Sequence, residues 1–235
     1  MKINEIILGD AYELIKEIPD NSIDLIYTDI PYLHKQGGVG LSDLGKRAKS
    51  LNDSLEAFNK GIDYSILDEF KRVLKKVNMF IWCSDEQILD ILTWAQEYYV
   101  DILPWCKTNP PPFTNNTWLS DVEYCIYIRE SNVVYSSDYS LKHKWYVSPT
   151  NKTDKALFEH PTIKPFELVK RHILNVTNEG DIVLDAFCGS GTTACVCKEI
   201  NRNYIGFEIN PNMYKIAIDR INGIDVNGQI YMFLR

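Results

Sequence analysis

No run of about 18 apolar residues occurs in the 235-residue chain, so no membrane-spanning helix is expected. The opening MKINEIILGD has no basic start followed by a long apolar stretch, which argues against a secretion signal and makes the cytoplasm the expected compartment. The six cysteines (Cys83, Cys106, Cys125, Cys188, Cys195 and Cys197) lack disulfide-framework spacing and read as buried, reduced thiols. Cys195 and Cys197 form a CxC, but no His or Cys cluster completes a four-ligand zinc site, and no metal is expected. Positive charge is scarce as well. With 25 basic and 32 acidic residues the net charge is −7, which excludes indiscriminate attraction to phosphate and leaves any polyanion to local clusters such as Lys46, Arg47 and Lys49. Internal repeats and low-complexity tracts are absent.

What is present is an ordinary globular composition, 45% hydrophobic and 24% charged, in a chain long enough for a single α/β domain. Short β-branched or aromatic runs at 23–28, 79–83, 123–128, 181–186 and 204–208 read as strands. Helical periodicity covers 11–18, 65–77, 85–99, 165–176, 192–201 and 211–221. Ser65 with Asp68 and Ser84 with Gln87 have capping-box spacing, and Pro211 after Asn210 fits a first-turn proline. Strands alternating with helices predict a mostly parallel, doubly wound, Rossmann-like sheet. Two segments break the rhythm: 34–59, with GGVG and KRAK, reads as a long mobile loop, and 131–160, polar and aromatic, as a small insertion.

Residues 181–208 read strand, glycine turn, helix, strand, acid. Gly189 and Gly191 let the backbone turn tightly and approach a ligand, and the helix that follows offers free N–H groups. Glu208 stands 23 positions after Asp185, at the end of the next strand, where a carboxylate can take both hydroxyls of a ribose. The third glycine of a dinucleotide fingerprint is replaced by Thr192 and Thr193. That favours S-adenosylmethionine over a pyrophosphate-bearing cofactor, and Asp185, Asp29 and Asp10 offer the acidic surroundings a sulfonium suits. For Asp10 a helix N-cap is an equal reading.

The tetrapeptide Asp29-Ile30-Pro31-Tyr32 ends an apolar strand, at the sheet edge where α/β ligands bind. An aromatic amine is a weak nucleophile because its lone pair is delocalised into the ring. The Asp29 carboxylate and the Ile30 carbonyl can each accept one amine hydrogen and free that lone pair. Pro31 restricts Ile30 to extended geometry and so aims its carbonyl, while Tyr32 can stack on the base. In duplex DNA the base must leave the stack, at a cost of a few kcal/mol.

With the catalytic tetrapeptide ahead of the glycine turn, these motifs closely resemble the β-class amino-methyltransferases of DNA, whose motif order is circularly permuted. LGDAYELIKEIPDNSIDLIYTDIPY (8–32), WCKTNPPP (105–112), HPTIKPFELVKRHI (160–173) and LDAFCGSGTT (184–193) carry the likeness over nearly the whole chain. The resemblance implies S-adenosylmethionine as cofactor, double-stranded DNA as partner, and a target-base site at Asp29, Ile30, Pro31 and Tyr32. It implies a cofactor site at Asp185, Phe187, Gly189, Gly191, Thr192 and Glu208, with Asp10 and Lys164 as additions. The leading aspartate points to adenine N6; cytosine N4, a glutamine side chain, an RNA base and a catalytically inert DNA-binding module are the alternatives. Ile30 stands where the family usually has proline, a loss of rigidity. The stretch between the middle motif and His160 is short for a recognition domain, so recognition is expected from the 34–59 loop, from a second subunit of a homodimer, or from both. Trp105, Lys107 and Asn109 read either as lining the DNA cleft or as core, and His160 as structural.

Overall fold

The computed structural model describes residues 2–33, 61–110, 118–150 and 163–225. Eight strands among them, β1 (Glu5–Leu8), β2 (Leu25–Asp29), β3 (Asn78–Cys83), β4 (Tyr99–Lys107), β5 (Val122–Arg129), β6 (Tyr146–Ser148), β7 (Ile182–Asp185) and β8 (Asn203–Glu208), form one sheet. In space they run β1-β8-β7-β2-β3-β5-β4-β6. The neighbours from β1 to β3 are parallel. β5 is antiparallel to β3 and to β4, and β6 is parallel to β4. The expected doubly wound, mostly parallel sheet is therefore present, with β5 reversed within it.

The side-chain period of two sorts each central strand between two cores. Leu25, Tyr27, Phe80, Trp82 and Val183 face one layer, packed by α4 (Phe166–Val176), α5 (Thr192–Glu199) and α6 (Pro211–Ile221). Ile26, Met79, Ile81 and Leu184 face the other, under α1 (Ala11–Leu14), α2 (Ile66–Val73) and α3 (Ile88–Trp94). All six residues of β3 are buried, as a strand covered on both faces must be. A fully buried ring such as Phe70 of α2 adds about 2–3 kcal/mol by area.

Several ends differ from the sequence expectation. α2 stops at Val73, not 77, because Leu74 turns extended (φ −74, ψ 136) and bridges Ile23, and the Lys75 N–H then donates to the Ile23 carbonyl at 2.9 Å. The helix expected over 85–99 is a 3-10 turn (Asp85–Gln87) followed by α3, and Tyr99 already begins β4. Ser65 makes no side-chain cap bond, and Asp68 instead accepts from Trp94 Nε1 at 2.9 Å. The Ser84–Gln87 box and the Asn210 cap with Pro211 form as expected. β1, β4 and β6 were not expected. β6 and the 3-10 turn Tyr139–Lys142 come from the segment read as an insertion, which thereby extends the sheet beside β4. The 34–59 loop lies outside the described residues.

Candidate active site

β2 and β7 are adjacent parallel strands, with Ile26 opposite Leu184, so Asp29 and the turn after Asp185 leave the sheet side by side at the same edge. The Thr28 hydroxyl donates to Asp185 Oδ1 at 2.9 Å and closes the join between the two strand ends.

On the β7 side, Asp185 is buried and also accepts from Thr193 Oγ1 (2.6 Å) and the Phe187 N–H (3.3 Å). Burial raises its carboxyl to about 7 against the pull of the Thr193 and Thr28 hydroxyls. Asp185 thus acts as the internal anchor of the turn. Gly189 (φ 50) and Gly191 (φ 75) occupy the left-handed region that favours glycine. A Cβ on Gly191 would come within 3.0 Å of the Ala217 Cβ, so this glycine also lets α6 approach. Glu208 at the tip of β8 accepts the Gly189 N–H on Oε2 (2.8 Å) and the Asn210 N–H on Oε1 (2.7 Å). Each carboxylate oxygen keeps acceptor capacity for a ribose hydroxyl. Burial raises the Glu208 carboxyl, and those same N–H groups draw it partly back. The half-buried Phe187 ring meets Tyr12 edge-on at 6.4 Å. A carboxylate between two strands, a left-handed glycine turn and an apolar ring suit an adenosyl ligand.

Two expected members of this set also have partners within the protein. Asp10 is exposed and caps α1, its Oδ1 taking the Tyr12 N–H at 2.9 Å. The buried Thr192 accepts from Arg220 at 2.8 Å, tying α5 to α6.

On the β2 side, Asp29 Oδ2 lies 2.6 Å from Lys164 Nζ, while Asp29 Oδ1 is buried with no hydrogen-bond partner among the described residues. Lys164 also donates to the Tyr32 hydroxyl (2.9 Å), pairs with Glu123 Oε2 (3.0 Å) and sits over the Tyr32 ring at 5.3 Å. Glu123 Oε1 pairs in turn with Lys107 at 2.8 Å. Four charges therefore alternate in sign from Asp29 to Lys107. Burial opposes the Lys164 charge, yet Asp29 and Glu123 outweigh it and hold the ammonium above its usual range. Burial pushes the Asp29 carboxyl up, and Lys164 draws it part of the way back. For Glu123 burial is likewise the largest influence, but Lys164 and Lys107 together overcome it and bring the carboxyl down to about 2. Lys164, expected among the cofactor residues, is placed here against Asp29 and Tyr32.

Ile30 turns its side chain into the core under α1, α2 and α3, 1% exposed, and its N–H donates to the Trp82 carbonyl at 3.2 Å, a bond proline could not make. Pro31 O and Leu33 O accept from Gln87 Nε2 and Ser84 Oγ, each at 3.0 Å. Of the middle motif, Trp105 is core, its Nε1 on Ser148 Oγ at 2.9 Å, and Asn109 Oδ1 takes the Thr150 N–H at 2.6 Å. His160 lies outside the described residues. Sequence reasoning missed Thr28, Glu123 and the grip of Gln87; an acid inside an otherwise apolar strand was the available signal for Glu123. Among the described residues no group of three or more His, Cys, Asp or Glu could hold a metal ion, and no helix is long and apolar enough to cross a membrane.

A doubly wound sheet with an adenosyl-type turn beside a D-x-P-Y strand end defines a nucleobase amino-methyltransferase site. The chain belongs to the DNA methylase family of N6 and N4 methyltransferases, whose family model matches residues 23–219. It is 34% identical over 94% of its length to the Type II methyltransferase M.HpaI of Haemophilus parainfluenzae, covering 76% of that protein. It is 31% identical to the Type II methyltransferase M2.LlaDCHI of Lactococcus lactis subsp. cremoris, over 91% of this chain and 87% of the relative. The solved M1.HpyAVI–SAM complex superposes with a TM-score of 0.69 at 26% identity, covering 93% of this chain and 98% of that one. The cytosine-N4-specific PvuII DNA methyltransferase shares the fold, with a TM-score of 0.70 at 17% identity over 92% of this chain and 85% of that one.

Proposed function

We propose that this DNA methyltransferase methylates the exocyclic N6 of adenine, flipped out of double-stranded DNA. The observation that carries the proposal is Asp29 Oδ1. Among the described residues it is a buried carboxylate oxygen without a donor, one strand away from the glycine turn, and leaving such an acceptor unfilled costs about 1–3 kcal/mol. An amine N–H fills it.

S-adenosylmethionine, the methyl donor, supplies an electrophilic methyl group on a sulfonium when bound. Glu208, Phe187, Gly189 and Gly191 are the residues we assign to hold it. Asp185 shapes the turn from beneath, and Asp10 and Thr192 support it as cap and tie. The rest of the work is positioning. Asp29 Oδ1 accepts one amine hydrogen and the Ile30 carbonyl the other, which localises the nitrogen lone pair for attack. Lys164 occupies Oδ2, so the carboxylate meets the amine through Oδ1 alone. Tyr32, held at its hydroxyl by Lys164, offers its ring to the base. The methylated nitrogen is cationic and sheds a proton, and the Asp29 carboxylate is the base beside it, its proton affinity raised by burial. The described residues act as one domain in this reading, since both cores share one sheet.

Adenine is preferred because an aspartate heads the tetrapeptide. Incubation with methyl-labelled cofactor and DNA of mixed sequence, followed by hydrolysis and base analysis, is the test. N6-methyladenine is expected; N4-methylcytosine alone would overturn the choice of base, and unlabelled DNA the function.

A further inference from the structure

The Ile30 carbonyl belongs to the peptide plane between Ile30 and Pro31, and that plane is fastened on both sides. Before it, the Ile30 N–H donates to the Trp82 carbonyl (3.2 Å); after it, the Pro31 carbonyl accepts from Gln87 Nε2 (3.0 Å). One residue further on, the Leu33 carbonyl accepts from Ser84 Oγ (3.0 Å). The partners, one acceptor and two donors, all come from β3 and the turn that follows it, so the strand beside the tetrapeptide grips it at three points.

Gln87 is fully buried, and a buried carboxamide is tolerated only when both its ends are bonded. Its Oε1 does the work of a helix cap, taking the Ser84 N–H at 3.1 Å. Its Nε2 has no part in capping. That group reaches across to another segment and ends on Pro31. Proline has no N–H of its own, so the Pro31 carbonyl is the handle left by which this residue's backbone can be held.

We propose that Gln87, assisted by Ser84, is a positioning residue that orients the Ile30–Pro31 peptide so that its carbonyl meets the target amine. The proposal rests on the assignment of the Ile30 carbonyl as an amine acceptor. Gln87 touches neither base nor cofactor; it acts through Pro31. An acceptor displaced by about 1 Å costs on the order of 100-fold in rate, while ground-state binding through other contacts persists.

The test compares wild type, Gln87→Met and Ser84→Ala for kcat, KM for DNA, cofactor affinity by calorimetry and thermal midpoint. Gln87→Met is expected to lower kcat about 10- to 100-fold with KM and cofactor affinity near wild type, and Ser84→Ala to lower kcat by a smaller factor. A purely structural cap would move the thermal midpoint and leave kcat of the folded enzyme intact. Should Gln87→Met fail to fold, Ser84→Ala decides alone. Either variant, folded and turning over at the wild-type rate beside an active wild type, overturns the positioning role. A wild type that transfers no methyl group to DNA overturns the parent reading instead, and this proposal with it.

Discussion

Thr28 Oγ1 stands 2.9 Å from Asp185 Oδ1, so the strand ending in Asp29 and the strand opening the glycine turn are bonded where they leave the sheet. The two half-sites share this one hydroxyl. Replacing Thr28 by Val keeps the shape and removes the donor, leaving buried Asp185 with one partner fewer. The expected loss is about 1–3 kcal/mol in urea unfolding, accompanied by weaker cofactor binding in calorimetry.

Asp29→Ala should lower kcat by at least about 100-fold while cofactor affinity stays within a few-fold of wild type. Single-turnover methyl transfer and calorimetry measure the two separately. Unchanged turnover would remove Asp29 from the chemistry.

Lys164→Met takes away the ammonium that draws the Asp29 carboxyl down, leaving burial and the Glu123 charge to push it higher still. Activity requires ionised Asp29 as an acceptor, so the acid limb of the kcat profile should move to higher pH. A profile superimposable on wild type would show that Lys164 does not act on Asp29.

Glu123 titrates in the folded protein at about 2, below its usual value. A depressed carboxyl adds stability that is present above the unfolded pKa and lost as pH falls towards the folded one. The stability gap between wild type and Glu123→Gln should therefore be widest above about pH 4.5, on the order of 3 kcal/mol, and close as pH approaches 2. Denaturant melts across that window test it; a gap independent of pH would contradict the ion-pair account.

Gly191→Ala should destabilise by about 1–3 kcal/mol, because φ 75 strains any side chain and the new methyl group meets Ala217 at 3.0 Å. Thermal melts read the loss directly.

Those features whose chemistry dictates residue type were legible in the sequence. An acid before a Pro-Tyr at a strand end, and glycines before a helix, could be placed without knowing any contact. α4 and α6 were bounded well because Pro165 and the Asn210–Pro211 pair mark their starts. β4 was missed because Asp101 and Pro104 break its apolar pattern, yet β5 on one side and β6 on part of the other complete it. Lys164 joins the cofactor set through the resemblance alone, and its contacts with Asp29 and Tyr32 join partners more than a hundred residues apart, which chain order does not show. Glu123 and Gln87 owe their roles to partners remote in sequence, and no local pattern announces such pairings.

The placement of β2 between β3 and β7 also bears on biosynthesis. The ribosome delivers β2 and β3 early and β7 much later, so the flank of β2 that will receive Leu184 waits with unpaired backbone groups while most of the polypeptide is still being made.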